Sequence, residues 1–305
     1  MSGAQAGATG TGRAVEDVLA ELQDWPVDNV AAAALWDGGS DDGSGSNGGA
    51  STCTATFGDT SAQFPLASVS KLITAYATLL AVEEGAFELD QQVPADLLPE
   101  FDDLPTVREL LAHTSGIGFR GRTPEKPRGA RRIYSSAGYE VLADFIAAEA
   151  DMPFADYVAE GVCAPLGIEV KVEGSAGHGF SASVDALAVL CSEFLTPTVI
   201  APSTLNEALE PQWPELSGVV PGYGMQKPCP WGLGFELHGE KSPHWLGEGM
   251  PDTVAGHFGQ SGTFLWIDRS GSKKKAAVVL TDENFGDWAK QRWDGFNQRL
   301  WEALG

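Results

Sequence analysis

The sequence holds 305 residues, with 42 Asp and Glu against 19 Lys and Arg, a formal net charge of −23. Its 43% hydrophobic and 20% charged residues mark a folded chain with enough length for a sizeable core, and its acidity repels nucleic acid and anionic membranes alike. The longest apolar run, near residues 72–82, is too short to cross a bilayer, and residues 1–5 open a polar stretch unlike a signal peptide, so a cytoplasmic location is expected.

In chain order, residues 13–24 read as a short amphipathic helix and 30–36 as a buried strand. A Gly/Ser/Asp/Asn tract over 38–49 reads as a flexible loop, and 51–57 as a second strand completing a hairpin. Ser68 opens a helix whose apolar positions Val69, Leu72, Ile73, Tyr76 and Leu80 share one face, with Gly85 as its stop. From 86 to about 175 the pattern is helical and loop-rich: Thr106 with Glu109 forms a capping box, and helices are expected over 137–148 and 154–163. A further helix covers 184–195. Residues 263–267 and 276–280 are strands joined by the turn sequence 268–272, and 287–304 is a last helix carrying Trp288 and Trp301 as core residues. Strands joined by turns favour an antiparallel sheet with helices packed on it.

Several motifs fail on context. G-x-G-x-x-G occurs at 43–48, in the loop between two strands, and at 116–121, after a helix, whereas a phosphate cradle needs strand, turn and helix in that order. There is no G-x-S-x-G and no H-E-x-x-H, so neither the usual nucleophile elbow nor a metal or other cofactor is expected. Cys53, Cys163, Cys191 and Cys229 are widely spaced and read as reduced thiols.

S-x-x-K occurs three times. Ser270/Lys273 and Ser272/Lys275 fall in or beside a turn, where residues three apart need not converge. Ser68-Val69-Ser70-Lys71 begins a strongly patterned helix, so its first and fourth residues share a face and the amine can reach the hydroxyl. A lysine desolvated there loses basicity enough to act as a base toward the serine. Tyr134-Ser135-Ser136 precedes another helix, and His257-Phe258-Gly259-Gln260 leads into the strand at 264. Taken singly, each has a bland structural explanation.

Together and in this order, the three segments resemble the serine β-lactamase and penicillin-binding family, in its class C-like branch with D-alanyl-D-alanine peptidases and carboxylesterases. Residues 110–116 (LLAHTSG), 164–167 (APLG) and 231–235 (WGLGF) are similar to further marker segments of that branch, and the resemblance covers roughly 60–285. It implies Ser68 as the acylated nucleophile, Lys71 as its proton acceptor, Tyr134 as the acid/base, and His257 as a group steering substrate charge or the tyrosine proton. It also implies an oxyanion hole from the backbone N–H groups of Ser68 and Gln260, a donor pair whose electrostatic contribution is usually the largest single one. Ser136, Phe258 and Gly259 would contact substrate. Ser136 stands where the branch has asparagine, and Phe258 where it often has Thr or Ser. Both changes point away from an efficient β-lactamase.

The expected fold is α+β: an antiparallel sheet flanked by helices, from residues 1–85 plus 181–305, with an inserted helical subdomain over 86–180. The expected function is a serine hydrolase acting on small esters or amides. The alternatives are a D-aminoacyl peptidase or weak β-lactamase, with Arg131, Arg132 or His257 receiving a carboxylate, and a non-catalytic binding protein that keeps the fold. Six basic residues between 120 and 132 read as a solvated loop sooner than as a positive rim. Trp213, Trp231 and Trp245 could line an acyl groove or cover loops, and His113 reads as structural.

Overall fold

A computed structural model describes residues 10–38 and 51–305. The readings made for residues 1–5 and for the glycine motif at 43–48 lie outside the described residues, as does the loop reading over 38–49 except at Gly38, which ends a strand. In chain order the chain forms α1 (Gly10–Ala20), β1 (Val30–Gly38), β2 (Ser51–Phe57), β3 (Phe64–Pro65) and α2 (Ser70–Glu83). Four helices follow, α3 (Val107–Leu111), α4 (Ala137–Ala150), α5 (Phe154–Val158) and α6 (Ala164–Leu166), then β4 (Val170–Val172), β5 (Phe180–Ala182), α7 (Val184–Leu195) and α8 (Pro202–Leu209). The last third contains β6 (Gly218–Val220), β7 (Gly224–Gln226), β8 (Glu236–Leu237), β9 (Ala255–Gly259), β10 (Thr263–Asp268), β11 (Lys275–Thr281), α9 (Asp287–Lys290) and α10 (Trp293–Ala303).

Six strands form one antiparallel sheet in the order β2-β1-β11-β10-β9-β8. Its centre joins the two ends of the chain, since β1 pairs with β11 from Val30↔Thr281 to Trp36↔Lys275. Both faces are buried. Along β1, Ala31, Ala33 and Leu35 enter one core with α2 and α7, while Ala32, Ala34 and Trp36 enter another with α1 and α10. This explains why these strands read as unbroken apolar runs: with helices on both faces, neither set of side chains meets water. The architecture is the α+β, sheet-and-helix fold expected from the pattern.

Some boundaries differ from the sequence reading, each for a physical reason. Ser68 does not begin α2 but sits in a 3-10 turn over Ala67–Val69, and α2 is not one-sided: every residue from Ser70 to Ala81 is buried. It runs through the middle of the molecule, which overrides the amphipathic rule for surface helices. The segment 154–163 contains a π turn over Ala159–Cys163, and the final helix breaks between α9 and α10. His257 lies within a strand of its own, β9, rather than in a lead-in to β10. The Thr106/Glu109 capping box is present in both directions. Trp288 and Trp301 are half-buried at the margin of the second core. All four cysteines are free thiols, three of them buried. No helix among the described residues is long and apolar enough to cross a membrane.

Candidate active site

The backbone departs from ordinary geometry just before α2. Ala67 has φ +44°, the left-handed region that residues with a Cβ rarely enter, and the chain passes from there through the 3-10 turn into α2. The turn is braced from β9–β10: the hydroxyls of Ser261 and Thr263 donate to the carbonyls of Pro65 (2.6 Å) and Leu66 (3.0 Å). Gly259 permits this approach, because a Cβ there would overlap the Leu66 carbonyl and lie 2.5 Å from Thr263 Oγ1. Gln260, next along, is fixed by Phe285, whose N–H donates to its carbonyl (2.8 Å) and whose carbonyl accepts from its Nε2 (3.0 Å). The backbone N–H groups of Ser68 and Gln260 have no partner among the described residues.

Lys71 is fully buried one turn beyond Ser68. Its Nζ lies 3.3 Å from Ser68 Oγ, 3.0 Å from Ser136 Oγ and 2.7 Å from the Gly177 carbonyl oxygen, and 4.6 Å from the centre of the Tyr134 ring. Burial pulls its pKa down from 10.5 to about 7, with Glu140 acting in the opposite direction. All three oxygens can accept from the amine; when Lys71 is neutral, its two N–H groups suffice for the Gly177 carbonyl and Ser136, which frees the lone pair for the Ser68 hydroxyl. Gly177 is itself a close-approach glycine, since a Cβ there would come 2.8 Å from Ser136 Cβ.

Tyr134 OH lies 3.2 Å from His257 Nε2, and His257 Nδ1 lies 2.6 Å from the Phe258 carbonyl oxygen. A carbonyl only accepts, so Nδ1 carries the proton, Nε2 is bare, and the tyrosine hydroxyl donates to it. Burial lowers the His257 pKa to about 4, Lys71 adding to the effect, so the ring is neutral at neutral pH. Burial drives the Tyr134 phenol well above its usual value, with the Ser68 hydroxyl beside it pulling the other way.

These groups border one cavity of about 630 Å³, walled by α4 and the 119–120 segment on one side and by Pro221, Trp231, Glu236 and β9 on the other. Of the residues singled out in the sequence, Ser68, Tyr134, Ser136, His257, Phe258 and Gln260 line it, with Lys71 directly behind Ser68 and Gly259 shaping the approach. Phe258 borders the cavity, but its ring packs among Tyr223, Trp245, Phe285 and Trp293, because neighbouring residues on a strand face opposite ways. Its replacement of a hydroxyl residue is therefore in large part a core-packing choice.

Arg132 is not available to a substrate. It is buried and gives its guanidinium protons to the carbonyls of Ala112, Gln212, Trp213 and Cys229. Arg131 pairs with Glu125, Arg122 with Asp144, and Arg128 with Asp103 and Glu109; of the six basic residues of that run, Arg120 is the one that lines the cavity. Trp231 alone of its three borders the cavity; Trp245 is core, and Trp213 supplies one of the carbonyls to Arg132. His113 accepts the Ser135 N–H at Nδ1 and packs its ring against Tyr134, Tyr139 and Trp231. The other two S-x-x-K pairs do not converge: Ser270 bonds Asp268, and Lys275 lies over the Trp301 ring.

Sequence reasoning missed three contributors: Gly177, Glu140 and Glu236. The Gly177 carbonyl anchors Lys71, and Glu140 adds a carboxylate to the cavity wall. Glu236 is buried against Lys241 (3.2 Å), His244 Nε2 (3.0 Å) and Trp245 Nε1 (3.0 Å). Burial opposes its ionisation, but Lys241 and His244 together outweigh this and hold its pKa well below the usual carboxylate range. A backbone carbonyl carries no sequence signal, and the Glu236–Lys241–His244 trio spans a loop with no periodicity to mark it.

A six-stranded antiparallel sheet with a serine, a buried lysine, a tyrosine and a histidine around one cleft is the arrangement of the serine β-lactamase-like class of fold. The β-lactamase family model matches residues 29–170. A crystal structure of a β-lactamase from Mycobacterium bovis is 39% identical, matching 94% of this chain and 99% of that one with a TM-score of 0.83. The chain belongs to the β-lactamase family. A class C β-lactamase from Rhodobacter sphaeroides (17% identity, 97% and 98% of the two chains, TM-score 0.66) shares the fold, as does a D-stereospecific amidohydrolase from Streptomyces sp. (18% identity, 96% and 98%, TM-score 0.66). No curated protein matches the sequence.

Proposed function

We propose that the protein is a serine hydrolase that forms an acyl-enzyme at Ser68, with small carboxylic esters or amides as its substrates and no added cofactor. The observation that carries this reading is the buried Lys71 amine, set 3.3 Å from Ser68 Oγ and held on its far side by Ser136 and the Gly177 carbonyl. Ser68 Oγ attacks the carbonyl carbon and its proton passes to the Lys71 lone pair, while the carbonyl oxygen takes negative charge beside the Ser68 and Gln260 N–H groups. The bond to the leaving oxygen or nitrogen breaks as that atom takes a proton from Tyr134, which is resupplied by Lys71. In the resting site His257 holds the hydroxyl by accepting it at Nε2, and the proton swings from there to the leaving atom as that bond breaks. Water then attacks the acyl carbon by the reverse proton route, freeing the acid and restoring Ser68. The M. bovis relative carries the name β-lactamase, which makes a lactam the second acyl donor to try.

The test is incubation with a p-nitrophenyl ester, a chromogenic cephalosporin and a D-Ala-D-Ala peptide, with intact mass recorded after quenching. Turnover and a mass increase that vanish in Ser68→Ala support the reading. Absence of both on every compound would instead favour a binding protein that keeps the fold.

A further inference from the structure

The reaction leaves one carboxylate of the cavity without a task. Glu140 lies one turn beyond Ser136 on α4 and lines the same cavity as Ser68 and Tyr134. Its Oε1 accepts from the Ser175 hydroxyl, and Oε2 has no hydrogen-bond partner among the described residues. It enters no ion pair there either, although most arginines of the neighbouring loop are paired with carboxylates or carbonyls. Glu236, the cavity's other carboxylate, is already neutralised by Lys241. Arg120 shares the α4 side of the cavity, but it is exposed and set against the exposed Phe119 ring at 5.5 Å, where water screens its charge. A half-buried carboxylate with an unused oxygen, fixed on a rigid helix, is built to receive a cation.

Its place on α4, between this cavity and a second depression that contains Ser175, bears on which part of a substrate it would meet. Tyr134 and His257 serve the leaving group on the β9 side of Ser68. Ser136 and the Gly177 carbonyl hold Lys71, Glu140 follows Ser136 by one turn of α4 on the cavity wall, and we assign the substituent of the acyl group to that wall because Tyr134 and His257 take the leaving group. The whole-chain charge of −23 works the same way, drawing cations toward the protein and repelling free carboxylates. Glu140 also acts on Lys71, opposing the burial that lowers its basicity. A cation seated on Glu140 cancels that opposition, so the substrate that carries it helps to keep its own base neutral.

We propose that Glu140 receives a positively charged group on the acyl part of the substrate, so that the preferred acyl donors are aminoacyl or quaternary-ammonium esters and amides. This rests on the acyl-enzyme reading at Ser68. The test compares p-nitrophenyl esters of γ-trimethylammoniobutyric acid and of its neutral tert-butyl isostere, each corrected for its alkaline hydrolysis rate. The wild type should favour the cationic ester in kcat/KM by about tenfold, the effect of one partly screened ion pair, and the ratio should fall toward one in Glu140→Gln. Tetramethylammonium chloride should also inhibit hydrolysis of the neutral ester by the wild type, beyond sodium chloride at equal ionic strength. That measurement needs no variant. A wild-type ratio near one, a ratio that Glu140→Gln leaves unchanged, or a preference for a carboxylate-bearing ester that Arg120→Gln removes would each overturn the proposal. Acylation of Ser68 by the neutral ester without a cationic preference sinks this inference alone; no acylation by either ester sinks the acyl-enzyme reading with it.

Discussion

Replacing Lys71 by methionine separates what the buried amine does for chemistry from what it costs the fold. In the folded protein burial lowers its pKa from 10.5 to about 7. Below pH 7 both the folded and unfolded chains hold the proton, and the folded state carries the full penalty of a buried charge. Above pH 7 the folded lysine sheds its proton while the unfolded one keeps it up to about pH 10.5, so the unfolded state binds more protons and stability rises with pH. Integrating over that window, wild-type stability should gain ~2.5 kcal/mol between about pH 8 and pH 10 from this group alone. Lys71→Met lacks the titration, so urea unfolding of the two proteins across that range should give stability curves that diverge by this amount. The variant should also lose at least ~10²-fold in kcat, the range for removing a general base. Parallel stability curves would show that Lys71 titrates at an ordinary value in the fold, and the proton-transfer assignment would fall with it.

In the wild type, kcat/KM should rise from about pH 6 to about pH 8 as Lys71 deprotonates, and His257→Gln should lower kcat while leaving that limb near pH 7. A limb that disappears in His257→Gln would make the histidine the titrating base. Gly259→Ala forces a methyl against the Leu66 carbonyl and pushes β9 off the nucleophile turn. It should cost about 1–3 kcal/mol in thermal or urea unfolding, the usual range for overpacking, together with most of the turnover expected on the proposed ester substrates; a wild-type rate would mean that the turn needs no such bracing. Ser136→Asn should raise amide relative to ester turnover, since an amide group both donates and accepts at a spacing a hydroxyl cannot cover. An unchanged ratio would mean that position 136 serves only Lys71.

The two hairpins of the sheet were legible because each rests on local pattern, whereas the three site segments stood out only together, through their resemblance to a known family. Residues 263–267 and 276–280 are apolar runs with a turn between them, and Ser68 and Lys71 still meet although the first lies in the 3-10 turn and only the second in α2. Where the sequence misled, tertiary packing had replaced the local rule. The apolar positions of α2 suggested one buried face, but the helix is enclosed on all sides, so its polar residues Ser70, Thr74 and Thr78 are buried as well. Arg132 looked like one more charge in a solvated loop, yet four carbonyls from distant segments converge on it. β9 escaped notice because Gly256, His257 and Gly259 have poor strand propensity; pairing with β10 and the need for close approach at Gly259 decide its conformation.

The charge states around Ser68 form a consistent set. Burial pushes Lys71 and His257 down and Tyr134 up, so at neutral pH the phenol and the imidazole are uncharged and the amine is poised to be. The deep charges nearby, Glu236 and Lys241, are held against each other. Attack by Ser68 would then create the main new charges of the step, an oxyanion and a lysine ammonium. Each meets a partner already in place: unoccupied backbone N–H groups for the first, the Gly177 carbonyl and the Ser136 hydroxyl for the second. Such fixed dipoles need no reorganisation when charge develops, which is the condition under which they lower a barrier most. A lysine at position 257 would put a second buried cation beside Lys71 unless it too were neutral. The neutral histidine avoids that conflict while still fixing the tyrosine proton.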